Sequence, residues 1–189
     1  MGDSRVGLWD SWYERDTEPS VYGDPKTAQL AAEWLNEPGI QQVEDWGCGH
    51  GGFKTFLAPH QTYIGVDGSK SHYASVIADL VTYRSSVDAV HLRHVLEHNV
   101  DWRPILRNAL ASFRRRGVLT VFTPLSKQET VLARYPDFNG SGVEMVDISL
   151  PRAEVEAMIR ESGAQLVRQK RLRTKTQYKE ETIYFLSRE

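Results

Sequence analysis

The sequence predicts an α/β fold: a seven-stranded, mostly parallel, doubly wound sheet with an antiparallel C-terminal strand pair and helices on both faces. Three observations predict it. Short apolar segments of strand character alternate with amphipathic segments of helical period between residues 24 and 163. A glycine-rich turn, "GCGHGG" at 47–52, directly follows the first of those strands, as in sheets that bring a ligand to the carboxyl ends of parallel strands. The last two segments, "AQLVRQKRLRT" (164–174) and "EETIYFLSR" (180–188), are separated only by "KTQYK". That link is too short for a parallel crossover, so the two strands pair antiparallel.

The elements follow in order. Asp24 and Pro25 start a helix whose inward face is Ala28, Ala31, Trp34 and Leu35, and "NEPG" stops it. "QQVEDWG" is a strand running into the glycine turn, and Phe53 to Leu57 open the next helix. "TYIGVDGS" (62–69) is the second strand, "YASVIADL" (73–80) a weaker third and "SVDAVHLRHV" (86–95) a fourth. Asp101 caps the clearest helix, with Trp102, Ile105, Leu106, Ala109, Leu110 and Phe113 on one stripe. The run "RRR" at 114–116 closes that helix, Gly117 stops it, and "GVLTVFTPL" (117–125) is a fifth strand buried on both faces. Ser149 and Pro151 start a last helix, with Val155, Met158 and Ile159 inward and Gly163 beyond its end.

The chain has 189 residues and a net charge of -2. This length fits one domain over 1–189, and the charge is far from that of a general nucleic-acid binder. The basic stretch 168–179 reads as the solvated side of edge strands. Cys48 is the single cysteine, so no intrachain disulfide forms. No apolar run is long enough to span a membrane. Gly2 lacks the following Ser or Thr that favours lipidation. A cytoplasmic protein is expected.

Gly47, Gly49 and Gly52 have the spacing G-x-G-x-x-G, which in general suggests a pyrophosphate cradle. Glu44 and Asp45 argue against a phosphate here. Like unit charges about 4 Å apart repel by roughly 4 kcal/mol at an effective dielectric near 20. Asp45 suits a cationic ligand instead, one with a sulfonium and an ammonium whose own carboxylate uses the loop N–H groups. Asp67 ends the second strand and is placed to accept from both hydroxyls of a ribose. Asp79 ends the third, where its carboxylate and the Leu80 N–H can meet an adenine. A nicotinamide oxidoreductase is the alternative that Asp45 disfavours, and a noncatalytic cofactor-binding protein is a third reading.

Taken together, "VEDWGCGHGG", "YIGVDGS", "ADL", "VDAVHLRHVLEHNVDWRPILRNAL" and "GVLTVFTP" resemble, in that order, the motifs of class I S-adenosylmethionine-dependent methyltransferases. The resemblance runs from about residue 42 to 125 and weakens through the closing strands. Trp46 departs from it, standing where the family more often has an aliphatic residue. The resemblance implies that S-adenosylmethionine is the cofactor and S-adenosylhomocysteine the product. It also implies contacts at Asp45, Gly47, Gly49, Asp67, Gly68, Asp79, Leu80 and His94, with Cys48 and Ser69 inside the same turns and Tyr22 closing over the methionine part.

The histidines after the fourth strand are the candidate catalysts. Alternation puts Val90, Leu92 and His94 on one side and His91 and Arg93 on the other. His94 lies at the open strand end, beside the expected methyl group, and is the first candidate for a general base. His98 is a second, or else anchors the loop by a structural hydrogen bond. His91 is expected to be packed. No loop supplies a matching ligand pair, so no metal is expected.

Residues 1–23, with Trp9, Trp12, Tyr13 and Tyr22, form a candidate lid. Residues 124–150 form the acceptor-side insertion, bordered by His72 and Tyr73. Its compact, polar character points to a small-molecule or saccharide hydroxyl as methyl acceptor, with N-methylation as the alternative.

Overall fold

The computed structural model describes residues 6–15 and 18–188; Gly2 and the rest of the first five residues lie outside these. Among the described residues nine strands form: β1 (Gln42–Trp46), β2 (Thr62–Asp67), β3 (Ala74–Ile77), β4 (Val87–Arg93), β5 (Phe113–Val121), β6 (Thr130–Tyr135), β7 (Met145–Ser149), β8 (Gln165–Arg173) and β9 (Glu180–Ser187). The helices are α1 (Asp10–Tyr13), α2 (Lys26–Leu35), α3 (Trp102–Ser112) and α4 (Arg152–Glu161). Seven strands make one sheet in the order β3-β2-β1-β4-β5-β9-β8. Those from β3 to β5 run parallel, while β9 is antiparallel to both β5 and β8. The predicted seven-stranded sheet, with its antiparallel closing pair, is therefore the one formed.

Both faces are covered, and the strand sequences show why. On one face Ala28, Ala31 and Leu35 of α2 pack against Val43, Ala89, Val118, Ile183 and Phe185. On the other, Ile105, Leu106 and Leu110 of α3 and Val155 and Ile159 of α4 pack against Trp46, Val90, Leu92, Leu119, Tyr184 and Leu186. Successive residues of β4, β5 and β9 thus serve opposite cores, as the pleat requires. Each fully buried large side chain contributes about 1.5–3 kcal/mol. Trp46 fills space beneath the glycine turn and donates its indole N–H to Glu44 at 2.7 Å.

Three local expectations are corrected. Residues 53–57 do not open an α-helix. Gly52–Phe56 is a 3-10 turn and Leu57 is already extended, because Pro59 biases Ala58 away from helical geometry. Second, α3 ends at Ser112, whose hydroxyl bonds the Asn108 carbonyl at 2.8 Å, and the three arginines belong to β5. Arg114 reaches Asp88 and Arg116 grips Glu37 with two bonds of 2.6 and 2.7 Å. Gly117 is not a helix stop: a Cβ there would lie 2.7 Å from the Phe113 ring. Third, β3 spans only Ala74–Ile77 and needs no helical crossover, because it begins opposite Gly65 and the link retraces only the end of β2. The segment after β5 has no long helix and holds the antiparallel hairpin β6–β7.

Among the described residues, no helix is long and apolar enough to cross a membrane.

Candidate functional site

In open sheets a ligand crevice forms where neighbouring connections diverge, here at the carboxyl ends of β1 and β4. A cavity of about 620 Å³ opens there. One end is walled by the glycine turn, Asp45, Asp67, Gly68, Ser69, Asp79 and Leu80, the other by His98, Phe122, Phe138, Met145 and Asp147. All the residues assigned to cofactor and catalysis from the sequence lie along this wall: Tyr22, Asp45, Gly47, Cys48, Gly49, Asp67, Gly68, Ser69, Asp79, Leu80, His94 and His98.

The turn uses Gly47, Gly49 and Gly51 at φ 69°, 48° and 64°. Gly51 was missed by the G-x-G-x-x-G reading, although the alternate glycines were visible in the sequence; Gly52 instead opens the 3-10 turn. A side chain at Gly47 would be strained and would also meet Val95 Cγ2 at 2.3 Å. Glu44 and Asp45 have different tasks, since adjacent strand residues face opposite sides. Glu44 accepts from Trp46, Tyr83 and Ser85 in the core. Asp45 lines the cavity, with Oδ1 2.7 Å from His91 Nδ1 and Oδ2 accepting from Tyr63 at 3.0 Å.

That pairing settles the neutral His91 tautomer. A carboxylate only accepts, so Nδ1 carries the proton and Nε2 keeps a lone pair. Nε2 is buried without a protein partner, in a ring stacked 3.6 Å from Phe53. A buried carboxylate at this end of the cavity fits a ligand with a cationic group and opposes a phosphate.

Asp67 is buried, and its oxygens accept the Gly49 and Ser69 N–H groups, both at 3.0 Å. Burial pushes its pKa up to about 6 despite those bonds. Each oxygen has a further lone pair for a ribose hydroxyl. Asp67→Ala is expected to weaken S-adenosylhomocysteine binding by about 1.5–3 kcal/mol per lost charged hydrogen bond, measured by calorimetry. In the wild type the affinity should fall as pH drops through about 6, because protonation removes acceptor capacity. Affinity unchanged in the variant would contradict the ribose assignment. Asp79 Oδ1 accepts the Val81 N–H at 2.9 Å and shapes the turn that exposes Leu80 to the cavity. Cys48 is buried; burial, then Asp45 and Asp67, push its thiol pKa up, so it is no nucleophile.

The simple alternation expected at the end of β4 fails. The strand stops at Arg93, and His94 takes a left-handed φ of 57°. Its ring therefore turns toward the side served by Arg93: His94 Nε2 and Arg93 Nη2 lie 3.0 and 2.8 Å from the same Glu181 oxygen. The His94 ring is buried against Tyr22 and Phe122. Burial, then the Arg93 charge, lowers its pKa to about 3, so it is neutral and a very weak base at pH 7. Glu181, fully buried, was not singled out in the sequence; it also accepts from the Thr27 hydroxyl.

His98 has a different setting. Its Nδ1 lies 3.0 Å from the Val146 carbonyl and 3.2 Å from Asp147 Oδ1. Both partners only accept, so Nδ1 donates, and the ring is partly exposed. Burial opposes a charge on His98, but Asp147, Glu97 and the Val146 carbonyl outweigh it and the pKa is raised. Tyr178 and Tyr135 donate to Asp147 Oδ2 at 2.9 and 3.2 Å. Asp147, Tyr135 and Tyr178 were missed, although a lone carboxylate inside "MVDIS" was the available signal. Glu97 has its pKa pushed up to about 7 by burial and accepts the Phe122 N–H at 2.7 Å. Among the described residues no group of three or more His, Cys, Asp or Glu is placed to hold a metal ion.

The N-terminal segment lies over the cavity. Gly7 N–H bonds Gly68 O, Trp9 N–H bonds Ser69 Oγ, and Asp10 Oδ1 accepts the Lys70 N–H. Tyr13 is set beside Gly49 and Asp67.

Comparison with known proteins agrees with this construction. The methyltransferase-domain family matches residues 22–169. No curated protein matches the chain. The N-terminal domain of EvdMO1, determined in the presence of SAH and D-fucose, is similar at 18% identity and TM-score 0.59, covering 98% of each chain. A Burkholderia thailandensis 1,6-didemethyltoxoflavin-N1-methyltransferase with bound SAH is 15% identical at TM-score 0.66, over 86% of this chain and 76% of its own. Magnesium protoporphyrin IX methyltransferase of Synechocystis PCC 6803, with bound SAH, is 20% identical at TM-score 0.64, over 87% and 82%. With the sheet order, the glycine turn and its two carboxylates in place, the family match assigns the chain: it belongs to the methyltransferase-domain family and is an S-adenosylmethionine-dependent methyltransferase of the class I Rossmann-like fold.

Proposed function

We propose that the enzyme methylates a hydroxyl of a small polyhydroxylated acceptor, a saccharide or a close relative, with His98 as general base. The supporting observation is the placement of His98: Nδ1 faces the Val146 carbonyl and Asp147, while the ring lines the acceptor end of the cavity. A hydroxyl is a poor nucleophile until its proton is accepted, and a neutral imidazole nitrogen suits that step near pH 7. The cofactor, when bound, supplies an electrophilic methyl group on a sulfonium. Asp45 favours its cationic end, Asp67 its ribose, and Asp79 with Leu80 its adenine.

At the acceptor end, His98 Nε2 takes the hydroxyl proton and Asp147 offsets the charge that appears on the ring. His94, neutral and walled in, shapes the cavity and is not the base. Asp147 and Gln177 line this end, and their carboxylate and amide groups suit hydrogen bonds to several hydroxyls. The similar EvdMO1 structure, determined in the presence of D-fucose, supports a sugar acceptor.

The test is incubation with methyl-labelled S-adenosylmethionine and a panel of monosaccharides, nucleotide-linked sugars, phenols and amines, read by mass spectrometry. Label on a sugar oxygen supports the reading. Label confined to nitrogen would overturn the hydroxyl assignment and the need for a base.

A further inference from the structure

The cofactor end and the acceptor end of the cavity are built from different parts of the chain, yet one short segment touches both. Its backbone is fastened to the turn after β2 by Gly7 on Gly68 at 2.7 Å, Trp9 on Ser69 at 2.8 Å and Lys70 on Asp10 at 2.7 Å. From there α1 carries Tyr13 over the glycine turn. The Tyr13 hydroxyl lies 3.5 Å from where a Cβ of Gly49 would stand, and its ring packs edge-on against His50 at 5.1 Å. Burial, then the nearby Asp67 and Cys48, keep the Tyr13 phenol protonated.

The same segment reaches across to the insertion. Trp9 and Trp12 close on Phe138, with ring centroids 5.8 and 5.7 Å away. Phe138 stands in the 3-10 turn at the tip of the β6–β7 hairpin, bonded to Val143 and packed on Tyr135. It belongs to the acceptor side, and the two tryptophans link it to the cofactor end, through α1 to Tyr13 and through Trp9 to Ser69, which donates to Asp67.

We propose that Tyr13 is a cofactor-binding residue and that Phe138 is a positioning residue for it, acting through Trp9 and Trp12. The hairpin that shapes the acceptor end thereby also sets how tightly the nucleoside is held. The physical reason is entropic. A four-residue helix has no stability of its own, so Tyr13 stays over the glycine turn only while both ends of its segment are held. Loss of the Phe138 ring frees the two tryptophan rings, and ordering α1 then opposes binding. This inference does not depend on which acceptor atom is methylated; it needs only the family's cofactor.

The test uses S-adenosylhomocysteine binding to the full chain by calorimetry, with no acceptor present. Phe138→Ala is expected to weaken binding about tenfold, the scale of two aromatic contacts, and Tyr13→Ala by at least as much. In a Tyr13→Ala background Phe138→Ala should have a clearly smaller effect than in the wild type, since the route through Tyr13 has already been cut. The Trp9→Ala/Trp12→Ala double variant leaves the hairpin intact and should reproduce the Phe138→Ala loss, so the test does not hang on the folding of the hairpin tip. Unchanged affinity in the Trp9→Ala/Trp12→Ala variant overturns the proposal. So does a Phe138→Ala effect of full size in the Tyr13→Ala background, which would show that Phe138 acts by another route. An inactive His98→Ala variant that binds S-adenosylhomocysteine normally would bear only on the base, leaving this inference standing.

Discussion

Replacing His98 by alanine is expected to lower methyl transfer by roughly 10²- to 10⁴-fold, with S-adenosylhomocysteine affinity unchanged. The asymmetry follows from position: His98 meets the acceptor end, while the nucleoside contacts are assigned to Asp45, the glycine turn, Asp67 and Leu80. The pH dependence has a definite sign. A general base works in its neutral form, so turnover should rise with pH and level off above the His98 pKa. That pKa is held above the ordinary histidine value by Asp147, Glu97 and the Val146 carbonyl against the opposing effect of burial. Asp147→Asn removes the carboxylate and should move the inflection to lower pH while reducing the plateau. His94→Ala should act differently: its pKa is already near 3, so the inflection should remain where it is in the wild type. A His98→Ala enzyme with wild-type turnover on its best acceptor would remove His98 from the chemistry.

The second large effect is on folding. Glu181→Ala is expected to destabilise the protein by about 3–5 kcal/mol, the usual cost of stranding one partner of a buried ion pair. Arg93 and Glu181 are both almost wholly buried, 2.8 Å apart. Arg93 also holds the Tyr22 carbonyl at 2.9 Å and the Thr27 hydroxyl at 3.3 Å. Without Glu181, the guanidinium would stay in place without its counter-charge, and Thr27 and His94 would lose the same partner. Replacing both members with apolar residues, Arg93→Met/Glu181→Met, should cost less than the single change, since no charge is then left buried. The Glu181 pKa is shifted in the opposite direction from that of His98. Burial raises the Glu181 pKa, but His94, Arg93 and Thr27 bring it below the usual carboxylate value. Its contribution is therefore complete above the unfolded-state pKa and is lost as pH falls through the depressed folded one. Urea unfolding of the three proteins at neutral pH tests the magnitude, and a single-variant loss below about 1 kcal/mol would refute the argument.

Much of the cofactor end was legible in the sequence because it is local. Gly47, Gly49, Asp45 and Asp67 sit at strand ends, and a strand end is recognisable from alternating apolar residues followed by glycine. Asp45 could be separated from a phosphate site by charge alone. Where local reading failed, long-range contact decided. The arginines at 114–116 looked like a helix end until Asp88 and Glu37 took them as strand partners. Gly117 looked like a stop signal but is small because the Phe113 ring lies against it. His94 was expected to follow the pleat, yet its left-handed backbone carries it to Glu181, a residue far along the chain.

By itself the sequence determined the doubly wound sheet, the strand ends that meet at its carboxyl edge, and a donor-accepting turn fitted to a cationic nucleoside. These depend on period, turn chemistry and the sign of nearby charges, all of which are properties of short segments. The tertiary structure alone decided which histidine is partly exposed in a polar setting and which is buried beside Arg93. It also decided that Asp147, Tyr135 and Tyr178 gather around His98, and that the N-terminal tryptophans meet the hairpin tip. The reason is physical: a side chain's protonation and reach depend on burial and on partners brought close by folding, and spacing along the chain does not encode either.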